Sequence, residues 1–265
     1  MKNKLLLFGL SLFVLSCSSD DSSPSVESVT DFLPLSDANY WSYDVTSDAE
    51  DGVGNDYLYI ANDTVIGTIT YKKFKTEDLA FGFFSNALSN NGVRKSGDEL
   101  LLTGTASFNF SEELPFSIDA TNLVIFKENA TNNQVIGTLN GVIEEEYEGY
   151  VIAFQYELTT TAKENLDTYS INGETYANVK SMEIKLNLNA ILQYDFNGIP
   201  LPITIMPQQD VVVSTQYYAE NIGVVHVTTD LEYQLSDLSQ YPIEVPIPES
   251  VAISQNEVLT SYSVE

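Results

Sequence analysis

Basic side chains are scarce in this chain. Eleven Lys and Arg stand against 38 Asp and Glu, for a formal net charge of −27. Such a surface repels phosphate backbones and anionic headgroups, which excludes nucleic acid as a partner and argues against peripheral electrostatic membrane binding. Cysteine is scarcer still. Cys17 is the only one, so no disulfide can form within the chain and stability has to come from the core. His226 is the only histidine, which leaves little material for a Ser–His–Asp relay or an imidazole-based metal site. It lies in Val224-Val225-His226-Val227, the middle of an expected strand. A nucleophile elbow, a phosphate-cradling loop and a His-Glu-x-x-His zinc pattern are all missing. No cofactor, metal or catalytic residue is therefore expected. Long apolar runs are also lacking beyond the first fifteen residues, so no helical membrane span is expected.

What is present begins at the amino terminus. Lys2 and Lys4 form a short positive head, and Leu5 to Leu15 is an apolar run of signal-peptide length, too short to cross a bilayer. It ends in Leu15-Ser16-Cys17. This stretch resembles the lipobox of bacterial lipoproteins: a large apolar residue, a small one, then cysteine. The resemblance implies that residues 1–16 are removed and that Cys17 is acylated (a palmitate-type anchor) on its thiol and its new amino group. More than one acyl chain, at about 0.8 kcal/mol per buried CH2, gives stable attachment without a span. Ser18, Ser19, Asp20 and Asp21 follow directly. They are similar to the acidic export signal of Bacteroidetes-type surface lipoproteins, which implies outer-membrane localisation facing the cell exterior. Residues 17–30, rich in Ser and Asp, read as a lipidated flexible tether, and 31–265 as one β domain.

The 16 Tyr and 13 Phe favour strands. Tyr40 to Val45 alternates, with Trp41, Tyr43 and Val45 on one face, and this puts the only Trp in the core. Met182 to Ala190 alternates strictly between apolar and polar residues, the mark of an antiparallel sheet with one wet face. Val211 to Ala219 and Val224 to Leu235 read as a hairpin around residues 220–223. Val65 to Phe74 reads as a strand, Phe81 to Ala87 as a short apolar stretch, and Val251 to Tyr262 as an edge strand. Tyr241 to Pro248 is too proline-rich for a central strand. Glu144 to Glu146 reads as an exposed strand start whose like charges protect a sheet edge. The predicted fold class is all-β: an antiparallel, curled open (half) barrel or a sandwich, both of which bury alternate residues.

Asn39-Tyr40-Trp41-Ser42-Tyr43, residues 172–179 (NGETYANV) and residues 217–225 (YYAENIGVV) occur in an order similar to that in uncharacterised Bacteroidetes-type surface lipoproteins. The last piece resembles the strand–turn–strand of half-barrel carrier lipoproteins. That resemblance implies a non-enzymatic outer-membrane lipoprotein holding an apolar small molecule or lipid in a β cavity, with the Phe81 to Leu88 stretch as a cover. Two other readings stand beside it. One is a surface adhesion or assembly module without a ligand cavity, working through its outer faces. The other is a carbohydrate-active enzyme using two carboxylates, which 38 acids leave open. Asp48 to Asp56 is the densest acidic stretch. It suits a solvated hairpin loop, and its spacing departs from the EF-hand pattern, although calcium is conceivable there. Asp63-Thr64-Val65 resembles the O-glycosylation sequon of exported Bacteroidetes-type proteins, which implies a sugar on Thr64.

Overall fold

A computed structural model describes residues 30–265 except 50–51, 112–113, 148, 197–198, 242–244 and 246. The elements are β1 (Tyr40–Ser47), β2 (Val53–Ile66), β3 (Ile69–Thr76), α1 (Phe83–Leu88), β4 (Gly92–Ser96), β5 (Glu99–Ser111), β6 (Leu114–Lys127), β7 (Val135–Tyr147), β8 (Tyr150–Ile171), β9 (Glu174–Phe196), β10 (Ile199–Ala219), β11 (Gly223–Gln234) and β12 (Ser250–Ser263). All twelve strands belong to one antiparallel sheet in the order β6-β5-β4-β3-β2-β1-β12-β11-β10-β9-β8-β7. Every hydrogen-bonded neighbour is also a chain neighbour, except that β1 pairs with β12. The result is an up-and-down barrel, closed by hydrogen bonds where the chain ends meet and unsealed between β6 and β7.

The predicted fold class is thus met, in its barrel form. The predicted edge strand, Val251 to Tyr262, is not an edge: as β12 it lies between β1 and β11. Strand alternation cannot reveal that two chain ends pair with each other. The run Val65 to Phe74 is also corrected. Gly67, at a φ of +64°, turns the chain there and splits the run between β2 and β3. The edges are β6 and β7. A side chain on Gly137 of β7 would come within 2.5 Å of the Val124 carbonyl oxygen on β6, so the two edges touch there without a ladder. Glu144 to Glu146 occupy the far half of β7 and not its start, but they do lie on an edge strand.

Antiparallel up-and-down order gives the barrel two rims. The N-terminal rim carries the turns at 67–68, 97–98, 172–173 and 220–222, together with both the first described residues and the chain's end. The helix rim carries α1, the end of β1 at Ser47 and the start of β2 at Val53. At the N-terminal rim, residues 31–39 run across the opening. The Asn221 N–H donates to the Asp31 carbonyl at 2.5 Å and the Ala38 N–H to Ile60 at 3.1 Å, and Lys95 pairs with Asp31. Phe32 and Leu33 point inward and are buried, with Phe32 5.2 Å from Phe126.

Inside, side chains of strands that are not ladder neighbours meet. Phe116 of β6 lies 5.5 Å from Phe154 of β8, and Phe126 of β6 lies 4.7 Å from Tyr218 of β10. Trp41 and Tyr43 of β1 donate to the carbonyls of Ile222 and Val224 at 2.6 and 2.8 Å. Each polar tip is therefore satisfied while its ring is buried. Full burial of one such large side chain is worth about 1.5–3 kcal/mol.

Candidate functional site

α1 is only six residues long and carries no cap from its own flanks. Its leading N–H groups are satisfied instead by side chains of the barrel wall. Asp56 of β2 accepts from the Phe81 and Gly82 N–H groups, each at 2.8 Å. Gln255 of β12 accepts from Phe83 at 2.7 Å and donates back to the Phe81 carbonyl at 3.2 Å. Glu257 of β12 accepts from the Phe84 N–H at 2.6 Å, the Ser85 N–H at 3.3 Å and the Ser85 hydroxyl at 3.0 Å. Five consecutive backbone donors are thus held by three side chains. Phe84 and Leu88, on the buried side of the helix, join the core, with Phe84 5.9 Å edge-on from Tyr43.

The electrostatics are unusual. Asp56 and Glu257 are buried at 5% and 1% exposure. Burial pushes the Glu257 carboxyl up to about 7, with the nearby Asp56 adding to the rise and the donors on Phe84 and Ser85 opposing it. Burial, with Glu257 next, also holds Tyr43 well above the ordinary tyrosine range. A side chain on Gly82 would sit 2.1 Å from a Glu257 oxygen, so the carboxylates can be this close to the backbone only because residue 82 is glycine.

A buried acid titrating near neutrality beside a second acid is the pattern expected of a general acid and its partner. Here both carboxylates are engaged by the protein's own N–H groups, which makes the cluster a latch on α1. Among the described residues, no group of three or more His, Cys, Asp or Glu could hold a metal ion. Open hollows border the helix rim and the N-terminal rim; the one at the N-terminal rim is lined in part by Phe32, Leu33, Leu100 and Phe126. One beside α1, of about 560 Å3, is bordered by Lys75, Asp78, Asn86, Asn90 and Asn91.

The sequence-predicted residues fall in separate places. Cys17, Ser18, Ser19, Asp20 and Asp21 lie outside the described residues, as do the expected signal peptide and all of the tether before Thr30. Thr30 itself sits at the N-terminal rim, its hydroxyl bonded to Glu128. Thr64 is half-buried near the β2–β3 tip, opposite Tyr71, and its neighbour Asp63 pairs with Lys72 at 2.5 Å. Of the acidic stretch 48–56, Asp56 is not on a solvated loop: it points into the barrel, in the same phase as Leu58 and Ile60.

His226 lies on the outer face of β11, beneath the β8–β9 hairpin. Its Nδ1 is 2.6 Å from the Tyr169 hydroxyl, and Tyr169, Tyr217 and His226 stack on one another. Burial pulls its pKa below the ordinary range against a hydrogen bond to Asn256.

Sequence reasoning did not single out Asp56, Gln255 or Glu257 for this role. A signal existed, since Asp56 and Glu257 fall in the inward phase of strands otherwise filled by Leu58, Ile60 and Leu259. No family model, curated protein or solved structure matches the chain.

Proposed function

We propose that this chain is a non-catalytic lipoprotein of the outer membrane, tethered through Cys17 and displayed at the cell surface, that works as a binding or assembly module through its outer faces. The observation carrying this reading is the aromatic packing inside the barrel: Phe116 of β6 on Phe154 of β8 across the unsealed seam, Phe126 on Tyr218 of β10, and Phe32 on Phe126. Rings that pack on one another in the interior take up space a carrier would leave for an apolar ligand, which favours use of the outer faces. The engagement of Asp56 and Glu257 by α1 favours a structural over a catalytic use of that acid pair. Thr30, the first described residue, sits at the N-terminal rim, which supports an attachment at that end with the helix rim facing away from the membrane.

Native mass spectrometry with lipid extraction, on the mature protein from its own host, tests the reading. A clean apo mass is the expected result. An apolar molecule at near one per chain overturns it in favour of a carrier that binds its ligand in the β cavity.

A further inference from the structure

We infer that the outer face of β1, β2 and β12 is a binding site for a neutral saccharide, centred on Tyr57. The inference deepens the reading of an outer-face binding module and rests on it. Trp41, Tyr43 and Val45 point into the barrel, so Tyr40, Ser42 and Asp44 point out. Register then places Tyr59 opposite Tyr40, Tyr57 opposite Ser42 and Asn55 opposite Asp44, all on the same outer face. Tyr40 stacks on Tyr57 at 4.9 Å, and Tyr57 meets Tyr59 at 5.9 Å. Three tyrosines form a ridge in the middle of a sheet face that water reaches, and Tyr57 keeps 37% of its surface exposed.

Beside the ridge is a hollow of about 260 Å3, bordered by Ser42, Asn55, Tyr57, Glu77, Asp78 and Thr260. Its shape depends on a fault in the ladder. The β1–β12 register shifts between Ser42 and Tyr43, so that Thr260 is an extra residue on β12, its hydroxyl donating to the Ser42 carbonyl at 3.0 Å. Bulges of this kind re-aim a side chain and gather beside functional sites.

The chemistry selects the ligand class. A half-exposed tyrosine ring offers a flat apolar surface with a polar edge, matching the C–H face of a pyranose ring and its rim of hydroxyls. Ser42 can donate and accept, Asn55 keeps its amide oxygen and the one N–H not given to Asp44, the Thr260 hydroxyl, its proton on the Ser42 carbonyl, accepts, and Glu77 and Asp78 accept only. Such a set suits a ligand whose groups are themselves donors and acceptors. The carboxylates disfavour an anionic ligand. Lys75, directly opposite Tyr59 on β3, sets one positive charge beside the ridge against Glu77 and Asp78, and the peptide arm of the test separates a neutral ligand from a cationic one. A metal ion is disfavoured as well, because no acid trio converges here among the described residues.

The test uses the full-length protein in mild detergent on an array of neutral oligosaccharides built from hexoses and N-acetylhexosamines, with basic peptides printed alongside. Retention of at least one neutral glycan, unchanged by added salt, is expected. Tyr57→Ala should weaken it by about tenfold or more, and the exposed, conservative Glu77→Gln by several-fold with folding intact. An empty array, retention equal in both variants, or salt-sensitive retention of basic peptides alone each overturns the assignment. A clean apo mass in native mass spectrometry with an empty array removes only the saccharide, whereas an apolar ligand in the mass spectrum removes the outer-face reading on which it rests.

Discussion

The two rims of the barrel are closed by different forces. At the N-terminal rim a strap of chain lays Phe32 and Leu33 into the core, and neither side chain carries an ionisable group. At the helix rim Phe84 and Leu88 do a similar apolar job, but α1 is held in place by Asp56, Gln255 and Glu257 through its own N–H groups. The strap is tied as well, by Lys95 on Asp31 and by the Asn221 and Ala38 N–H groups, but none of these ties is a buried carboxylate, and the strap continues directly into β1. α1 is a six-residue helix between two strands and cannot persist on its own propensity, because helix nucleation is costly and so few residues cannot offset it. Side-chain acceptors on the wall supply what length does not. The lesson is that one rim should respond to packing alone and the other to packing and protons.

The sharpest way to break the comparison is to remove one closure at a time. Phe32→Ala should cost the most, about 3–5 kcal/mol for a buried aromatic, with the same loss at about pH 5 and about pH 8, since its ring meets Phe126 and the Lys180 ammonium and is remote from Glu257. Urea unfolding at both pH values checks this, and a pH-dependent loss would show that the rims are coupled. Glu257→Ala should cost somewhat less, about 2–3 kcal/mol, because it leaves the Phe84 and Ser85 N–H groups and the Ser85 hydroxyl without their acceptor.

Protons then separate the rims. With Glu257 pushed from its ordinary 4.5 up to about 7, the folded protein holds a proton that the unfolded chain has released between those values. The contribution is fully present below the lower value and is lost as pH rises through the upper one. Stability should therefore fall by ~1–3 kcal/mol from about pH 5 to about pH 8. Glu257→Gln should flatten that fall while Phe32→Ala leaves it intact. A slope unchanged in Glu257→Gln would mean that the helix-rim acid is not the source.

How much of this was legible depends on which faces each strand shows. Tyr40 to Val45 and Met182 to Ala190 could be read because one side of each meets a core and the other meets water, so alternation survives in the residues themselves. Val65 to Phe74 misled because both arms of a tight hairpin are apolar near the tip, and only Gly67 marks the turn. α1 is too short to show a 3.6-residue stripe. Its surroundings, Phe81 to Leu88, were recognisable as apolar cover but not as a helix. The placement of β12 was out of reach, because pairing of the chain ends is a property of the closed barrel. The latch was half legible: Asp56 and Glu257 break the inward apolar phase of their strands, yet their partners are backbone N–H groups of a segment about 25 and 170 residues away, which no local pattern records. The tyrosine ridge was visible only as composition until register placed Tyr40, Tyr57 and Tyr59 on one face.

The smallest expected effect lies away from both rims and serves as their control. His226 is buried on the outer wall, so its slope has the opposite sign to that of Glu257. Its folded pKa is lowered, the unfolded chain binds the proton more readily, and its stabilising contribution is present above the ordinary 6.5 and lost as pH falls. Because it is the only histidine, its imidazole C–H proton gives a single resolvable NMR titration in the whole chain. Burial pushes the Tyr169 hydroxyl up to about 12, so it keeps its proton throughout the histidine's titration, and in the tautomer with the ring proton on Nε2 it donates to Nδ1. A donor to Nδ1 favours the neutral ring. Tyr169→Phe keeps the stack but removes that donor, so the His226 midpoint should move up toward its ordinary value, at a cost of only about 0.5–1.5 kcal/mol in stability. The pH slope assigned to Glu257 should be untouched by the change. A midpoint that stays put would mean that burial under the β8–β9 hairpin alone sets the histidine's charge, and that the tyrosine contributes packing but no proton control.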